Sequence, residues 1–216
     1  MKVLSKGFSR KGFRKHQGFT LVELAIVLTI IGIIMGAVLK GQELIWNAKV
    51  KRLQNQIKEF QTAFYTYYDK YGYYPGDDPT ASSRWSNAPV GDGDGFVEGG
   101  YCSEDNEESC YIWRHLRYAN IISGNPNETN PNVLLPKHVF GGHVDMFTGT
   151  YTVGGQTRSG LWITLRNLEA SAAAALDRAI DDGRCDTGSM ARYSGASCNN
   201  DGSYPSSGYL HVWINF

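Results

Sequence analysis

The chain lacks the short motifs that announce most catalytic chemistry. It has no Cys-x-x-Cys pair, no His-Glu-x-x-His, no Gly-x-Ser-x-Gly and no Walker-type phosphate loop. Zinc would want paired thiols or clustered histidines, whereas His115, His138, His143 and His211 are scattered. No catalytic constellation emerges, and the expectation is a protein that is not an enzyme. No internal repeat or long low-complexity tract is present. Past residue 18 a basic surplus is also missing: residues 19–216 hold 15 Lys and Arg against 21 Asp and Glu. Binding to a phosphate backbone needs a concentrated basic surface, so no nucleic-acid partner is expected. Disorder is excluded by 42% apolar and 12% aromatic residues over 216.

Charge of one sign is confined to the start. Residues 1–18 carry Lys2, Lys6, Arg10, Lys11, Arg14 and Lys15 and no acid. Phe19 to Leu39 then reads FTLVELAIVLTIIGIIMGAVL. At ~1.5 Å per residue this spans about 30 Å, a bilayer's hydrocarbon thickness. The preceding cations orient it with residues 1–18 in the cytoplasm and the body outside. A secretory signal peptide fits less well, because its core is shorter and ends in small residues. An uncleaved signal anchor is the plain alternative, and would make the chain a membrane-tethered extracytoplasmic binding module. The run has one anomaly, Glu23, its fifth residue. A carboxylate in hydrocarbon costs on the order of 2.5–3.5 kcal/mol on insertion scales and marks a specific partner. The run holds no Lys or Arg, so the partner is expected on another helix, another subunit, or an amine freed by cleavage nearby.

Lys15-His16-Gln17-Gly18 followed by Phe19-Thr20-Leu21-Val22-Glu23 resembles the class III signal of type IV prepilins and type II secretion pseudopilins. The resemblance implies cleavage between Gly18 and Phe19 by prepilin peptidase and N-methylation of Phe19. Glu23 would then pair with the Phe19 amine, on its own subunit or a neighbour, and set assembly register. It further implies a homo-oligomeric filament, with other pilins or pseudopilins, built on an inner-membrane assembly platform and driven by a separate ATPase. The location would be the bacterial inner membrane, single pass, then a periplasmic pseudopilus or a cell-surface pilus. Many family members carry a proline late in the run; here only Gly32, Gly36 and Gly41 weaken the helix, each by about 1 kcal/mol against alanine.

Helical periodicity continues beyond the run. Trp46, Val50, Leu53, Ile57, Phe60, Phe64, Tyr67 and Tyr71 recur at intervals of three and four, the pattern of one amphipathic face. Gly72 and Pro75 end it. A single helix from Phe19 to Tyr71 is predicted, its first half bare and apolar. Residues 75–110 read as an irregular Gly/Asp-rich loop. Residues 111–122 read as a short helix, 143–153 and 160–166 as strands, and 168–182 as a helix capped by Asn167. In the closing residues Leu210, Val212, Ile214 and Phe216 alternate with Tyr209, His211, Trp213 and Asn215, a half-buried strand. The aromatic cluster from Phe60 to Tyr74 reads as core and interface. The fold class is α+β and pilin-like: a basic leader 1–18, a long helix 19–72 with its membrane and assembly half at 19–39, and a head 73–216 with an antiparallel sheet.

Cys102, Cys110, Cys185 and Cys198 all lie in the exported part, where disulfides form. Three connectivities are open, and pairing of neighbours is the simplest. A bond closing 185–198 would resemble the C-terminal disulfide loop of many pilins. Asp92, Asp94 and Glu98 alternate in a loop that starts like an EF-hand but has Val97 at the glycine position and no closing glutamate. A non-EF calcium site and a metal-free Asp/Gly turn both fit, and the turn is preferred. Asp181 and Asp182 sit where a helix C-terminus disfavours negative charge; Arg178 and Arg184 are the expected compensation.

Overall fold

The computed structural model describes residues 18–216. The leader residues 1–17, including the basic cluster and Lys15 to Gln17, lie outside the described residues. The chain divides into two compact units between Ile45 and Trp46. A single helix, α1 (Leu21–Tyr71), contributes to both. Before the division α1 exposes nearly everything it carries. After it, Val50, Leu53, Ile57, Ala63, Phe64 and Tyr67 are buried, and Phe60 and Tyr71 pack partly buried against them. These positions follow the three-four spacing because only that spacing keeps side chains on one side of a 3.6-residue helix. Gly72, at φ +79°, turns the chain, and its amide bonds the Tyr68 carbonyl at 2.7 Å.

Short helices follow: α2 (Ala81–Arg84), α3 (Glu108–Tyr118) and α4 (Pro131–Leu134). Strand β1 (Val144–Val153) pairs with β2 (Gln156–Glu169) through the tight Gly154-Gly155 turn, both glycines having positive φ. After α5 (Ala170–Ile180) come β3 (Met190–Gly195) and β4 (Tyr209–Asn215). The sheet order is β1-β2-β4-β3, antiparallel throughout. With the long apolar helix, this is a pilin-like α+β arrangement.

The sheet is covered on both faces. Val144, Met146, Leu161, Ile163, Leu165, Leu210, Val212 and Ile214 join the core that contains the second half of α1. The alternate residues Phe147, Trp162 and Trp213 form a separate cluster with Val153 and Ala191, edged by Tyr101 and Tyr151. β4 is half-buried as expected: Leu210, Val212 and Ile214 are buried on one face, and on the other only Trp213 is, beside exposed Tyr209 and part-buried His211 and Asn215. Tyr193 stacks on Trp213 with centroids 4.0 Å apart, and the Trp213 indole N–H donates to the Tyr101 hydroxyl at 2.8 Å.

Three local expectations are corrected. Asn167 caps no helix: it lies inside β2 at φ +52°, where the β2–β4 register shifts between Leu165 and Leu168. Asn tolerates the left-handed region, so it serves a bulge there as readily as a cap elsewhere. α3 starts earlier than expected and stops at Tyr118, because Asn120 turns at φ +55° and the Ile121 amide folds back onto the Leu116 carbonyl at 2.9 Å. The 75–110 loop also contains the short helix α2.

Cys102 is bonded to Cys110, and Cys185 to Cys198. The second bond closes a segment with a sequence separation of 13. Its removal by Cys185→Ser with Cys198→Ser is expected to lower head stability by about 3 kcal/mol, since a loop of that size gains this much unfolded-state entropy. Urea unfolding of the full chain in detergent measures it.

Candidate functional site

The start of α1 is built by Thr20. Its amide and hydroxyl both donate to the same Glu23 carboxylate oxygen, at 2.7 and 2.8 Å, and the Glu23 amide donates back to the Thr20 hydroxyl at 3.2 Å. This reciprocal pairing is a capping box, which satisfies backbone donors that a helix start leaves open. Glu23 therefore has hydrogen-bond partners on its own chain, where sequence reasoning looked only to another helix, another subunit or a freed amine. The signal was present, since Thr-x-x-Glu before an apolar run is the capping-box pattern. Gly18 and Phe19 precede the helix, and Phe19 is 79% exposed. From Leu21 onward α1 is long and apolar enough to cross a membrane, and its most apolar stretch is entirely unburied in the single chain. A Cβ built on Gly18, Gly32, Gly36 or Gly41 meets nothing within 4 Å.

The 91–98 loop is folded around carboxylates. Asp77 accepts from the amides of Gly93 and Gly95 at 2.6 and 2.9 Å. Glu108 accepts from Asp92 and Glu98 at 3.1 and 3.3 Å. Asp92 and Asp94 each accept from the amide two residues on, at 3.1 and 2.8 Å. Asp92 is brought together with Asp77 and Glu108, with ligand atoms within 4.8 Å of one another; Asp94 and Glu98 are not in that group. Nothing local in the sequence joins Asp77 or Glu108 to this loop, because they reach it from 10 to 18 residues away. Burial, with Asp77 and Asp92 nearby, pushes the Glu108 carboxyl up to about 7 against the two amides it accepts. All of these oxygens serve the loop as turn acceptors.

A second acidic group lies after α5. Asp177 is buried and accepts from the Tyr204 hydroxyl at 2.6 Å and the Gly183 amide at 3.0 Å. Burial pushes it up to about 6 despite those bonds, aided by the charges of Asp181 and Asp182. Asp181 accepts the Met190 amide at 2.7 Å; Asp182 accepts the Arg184 amide at 2.8 Å and the Thr187 hydroxyl at 2.7 Å. Backbone and hydroxyl donors make the direct bonds, and the Arg184 charge adds to them in holding the Asp182 carboxyl down, while its guanidinium pairs with Asp186 at 3.2 Å.

Two buried polar clusters hold the head together. Asp78, fully buried, receives the Tyr67 hydroxyl at 2.7 Å, the Thr80 amide and hydroxyl at 2.8 Å, and the Arg84 guanidinium. Burial opposes its ionisation, but those donors hold its carboxyl below the usual range. Asp145, also fully buried, receives the Arg166 guanidinium and the Cys102 amide at 3.0 Å, while Arg166 lies over the Tyr101 ring at 4.6 Å. His115 joins the first cluster. Its Nδ1 accepts from the Gly76 amide at 2.9 Å and its Nε2 donates to the Pro89 carbonyl at 2.9 Å, fixing the neutral tautomer. Tyr67 stacks on the ring at 5.8 Å. Burial holds the His115 imidazole down to about 4, outweighing the Pro89 bond and the Asp78 charge.

With a folded value near 4 and an ordinary value of 6.5, His115 binds fewer protons folded than unfolded. Its contribution is complete above pH 6.5 and is lost as pH falls toward 4. Glu108 acts oppositely: raised from 4.5 to about 7, it favours the folded state most when protonated, so its contribution fades as pH rises through that interval. His115→Gln is expected to cost about 1–3 kcal/mol by leaving a buried partner unmet. It is also expected to flatten the acid-side loss between pH 6.5 and 4, read from denaturation midpoints against pH.

Apolar run, Glu23, Gly18-Phe19 junction and a long helix that continues into an antiparallel-sheet head occur together in this one chain. Residues 13–39 match the family model described as the prokaryotic N-terminal methylation motif. The matched stretch takes in the Gly18-Phe19 junction, Glu23 and the apolar run to Leu39. Comparison with curated proteins and with solved structures returned no match.

Proposed function

We propose that the chain is the precursor of a structural filament subunit, a pilin or pseudopilin, cut between Gly18 and Phe19 and methylated on Phe19 by prepilin peptidase. The observation that carries this reading is the methylation motif over residues 13–39, on a helix whose apolar first half finds no burial in one chain. That surface is a large unpaid hydrophobic area, and copies packed helix to helix would remove it from lipid and water. The helix would hold the subunit in the inner membrane, head outside the cytoplasm, until an assembly platform draws it into a filament. The same reading covers a cell-surface pilus and a type II secretion pseudopilus.

The capping box gives Glu23 a two-step role. In the single chain Thr20 supplies its hydrogen bonds. After processing, the cationic amine of Phe19 on a neighbouring subunit becomes the stronger partner, because a charge-assisted bond in a low-dielectric interface outweighs a neutral hydroxyl. Register between subunits would follow from that exchange. The reading requires no metal and no catalytic group.

Intact mass of the exported protein tests the reading: loss of residues 1–18 and gain of about 14 Da for one methyl group is expected. Gly18→Ala should leave the precursor uncut. Glu23→Val should be processed but form no filaments. A recovered chain that keeps all 216 residues would return the protein to a membrane-tethered binding module.

A further inference from the structure

Charge on the second unit is segregated in a way that a single copy does not use. From Trp46 to Lys58, α1 carries Lys49, Lys51, Arg52 and Lys58 and no acid. Between Trp85 and Trp113 the chain carries seven acidic residues and no Lys or Arg. Lys51 and Lys58, both exposed, are one heptad apart and so share a face of α1, about 10 Å apart along its axis. Among the described residues neither is in an ion pair, whereas Arg52 is engaged by Glu59 at 2.9 Å. Asp94 and Glu98 are likewise exposed and unpaired among the described residues.

Shape matches charge. Between Asp94 and Glu98 stands Phe96, 49% exposed. The loop is held rigid beneath it: Asp77 and Glu108 fix its amides, and buried Val97 is pinned by the Thr148 hydroxyl at 2.6 Å. A side chain presented on an ordered loop loses little freedom on docking. On the basic side a groove runs along α1, floored by Phe60, Ala63, Ile121 and Ile122 and bordered by Lys58 and Glu59. Phe96 borders a different hollow, with Tyr65, Tyr74 and Leu161, and no residue borders both. The Phe96 loop and the groove are thus separate surfaces of one chain.

We infer that the Phe96 loop of one copy docks in the Phe60–Ile122 groove of a second copy, with Asp94 and Glu98 meeting Lys51 and Lys58. Such a contact joins two different patches, so it is heterologous and propagates rather than closing a dimer. It would add a second register contact at the level of the heads. Opposite charges would steer the approach and the apolar seat would hold it. The inference rests on the filament reading above.

The test is charge exchange in the full-length chain. Asp94→Lys with Glu98→Lys, and Lys51→Glu with Lys58→Glu, are made separately and combined, and sheared filament is quantified against processed subunit. Each pair is expected to lower filament yield about tenfold, and the combination to restore it to within about twofold of wild type, as coupled partners do. Asp94→Asn with Glu98→Gln keeps the amide-accepting oxygens of the loop and is expected to lower the yield about threefold. Near-ultraviolet circular dichroism in detergent and intact mass are expected to match wild type throughout. Wild-type filaments with indifferent variants would overturn the contact alone. Loss on the acidic side without rescue by the basic exchange would assign the loop to a different cationic chain and overturn the second-copy contact. A wild-type chain that keeps Met1 or forms no filament would overturn the subunit reading itself, and the contact with it.

Discussion

A carboxylate near the start of about twenty apolar residues has to be hydrogen-bonded or neutralised, and how Glu23 meets that demand shapes everything else at this end of the molecule. Thr20 answers it locally with two donors and receives one bond in return. The same bonds satisfy helix-start amides that would otherwise be left unpaired. One pair of residues thus starts the helix and makes the charge tolerable. Because the arrangement uses only neutral donors, it leaves the charge itself uncancelled, and a cation brought near would find a ready site.

The second half of α1 turns the same helix to a different task. Its stripe from Leu53 to Tyr67 is the spine of the main core, and the sheet lies over it with the aliphatic face of β1, β2 and β4. Buried charges appear in this head only with dedicated donors. Asp78 has Tyr67, Thr80 and Arg84, Asp145 has Arg166 and the Cys102 amide, and Asp177 has Tyr204 and the Gly183 amide. Each ties a loop to a regular element, which is how a head with long irregular stretches keeps one conformation.

What was legible in the sequence was whatever repeats with a period. The apolar run, the three-four stripe on α1 and the alternation of β4 all came through, because burial on one face imposes spacing on neighbours in the chain. What was illegible depends on residues distant in sequence or on backbone angles that several residue types accept. Asn167 carries the composition of a cap but performs as a bulge. Strand β3, six residues of mixed polarity, has no periodic signal and exists because β4 offers it an edge. At the candidate site, Gly18, Phe19 and Glu23 were readable as a motif. The Thr20 half of the capping box is masked in the sequence, because an acid inside an apolar run points to a membrane partner before it points to a helix start. Around the acidic loop, the alternation of Asp92, Asp94 and Glu98 was visible, but Asp77 and Glu108, which organise it, were not.

The two-sided burial of the sheet leaves the head with tryptophans in two unlike surroundings. Trp113 packs edge-on to Phe60 at 5.2 Å in the layer that contains α1. Trp162 and Trp213 sit together at 5.7 Å in the opposite layer, beneath Tyr193 and bonded to Tyr101 and the Gly149 carbonyl. Because strands alone separate these groups, the head carries its own pair of optical reporters. Trp85 and Trp113 sense the helix side, and Trp162 and Trp213 sense the aromatic side, without any label being attached.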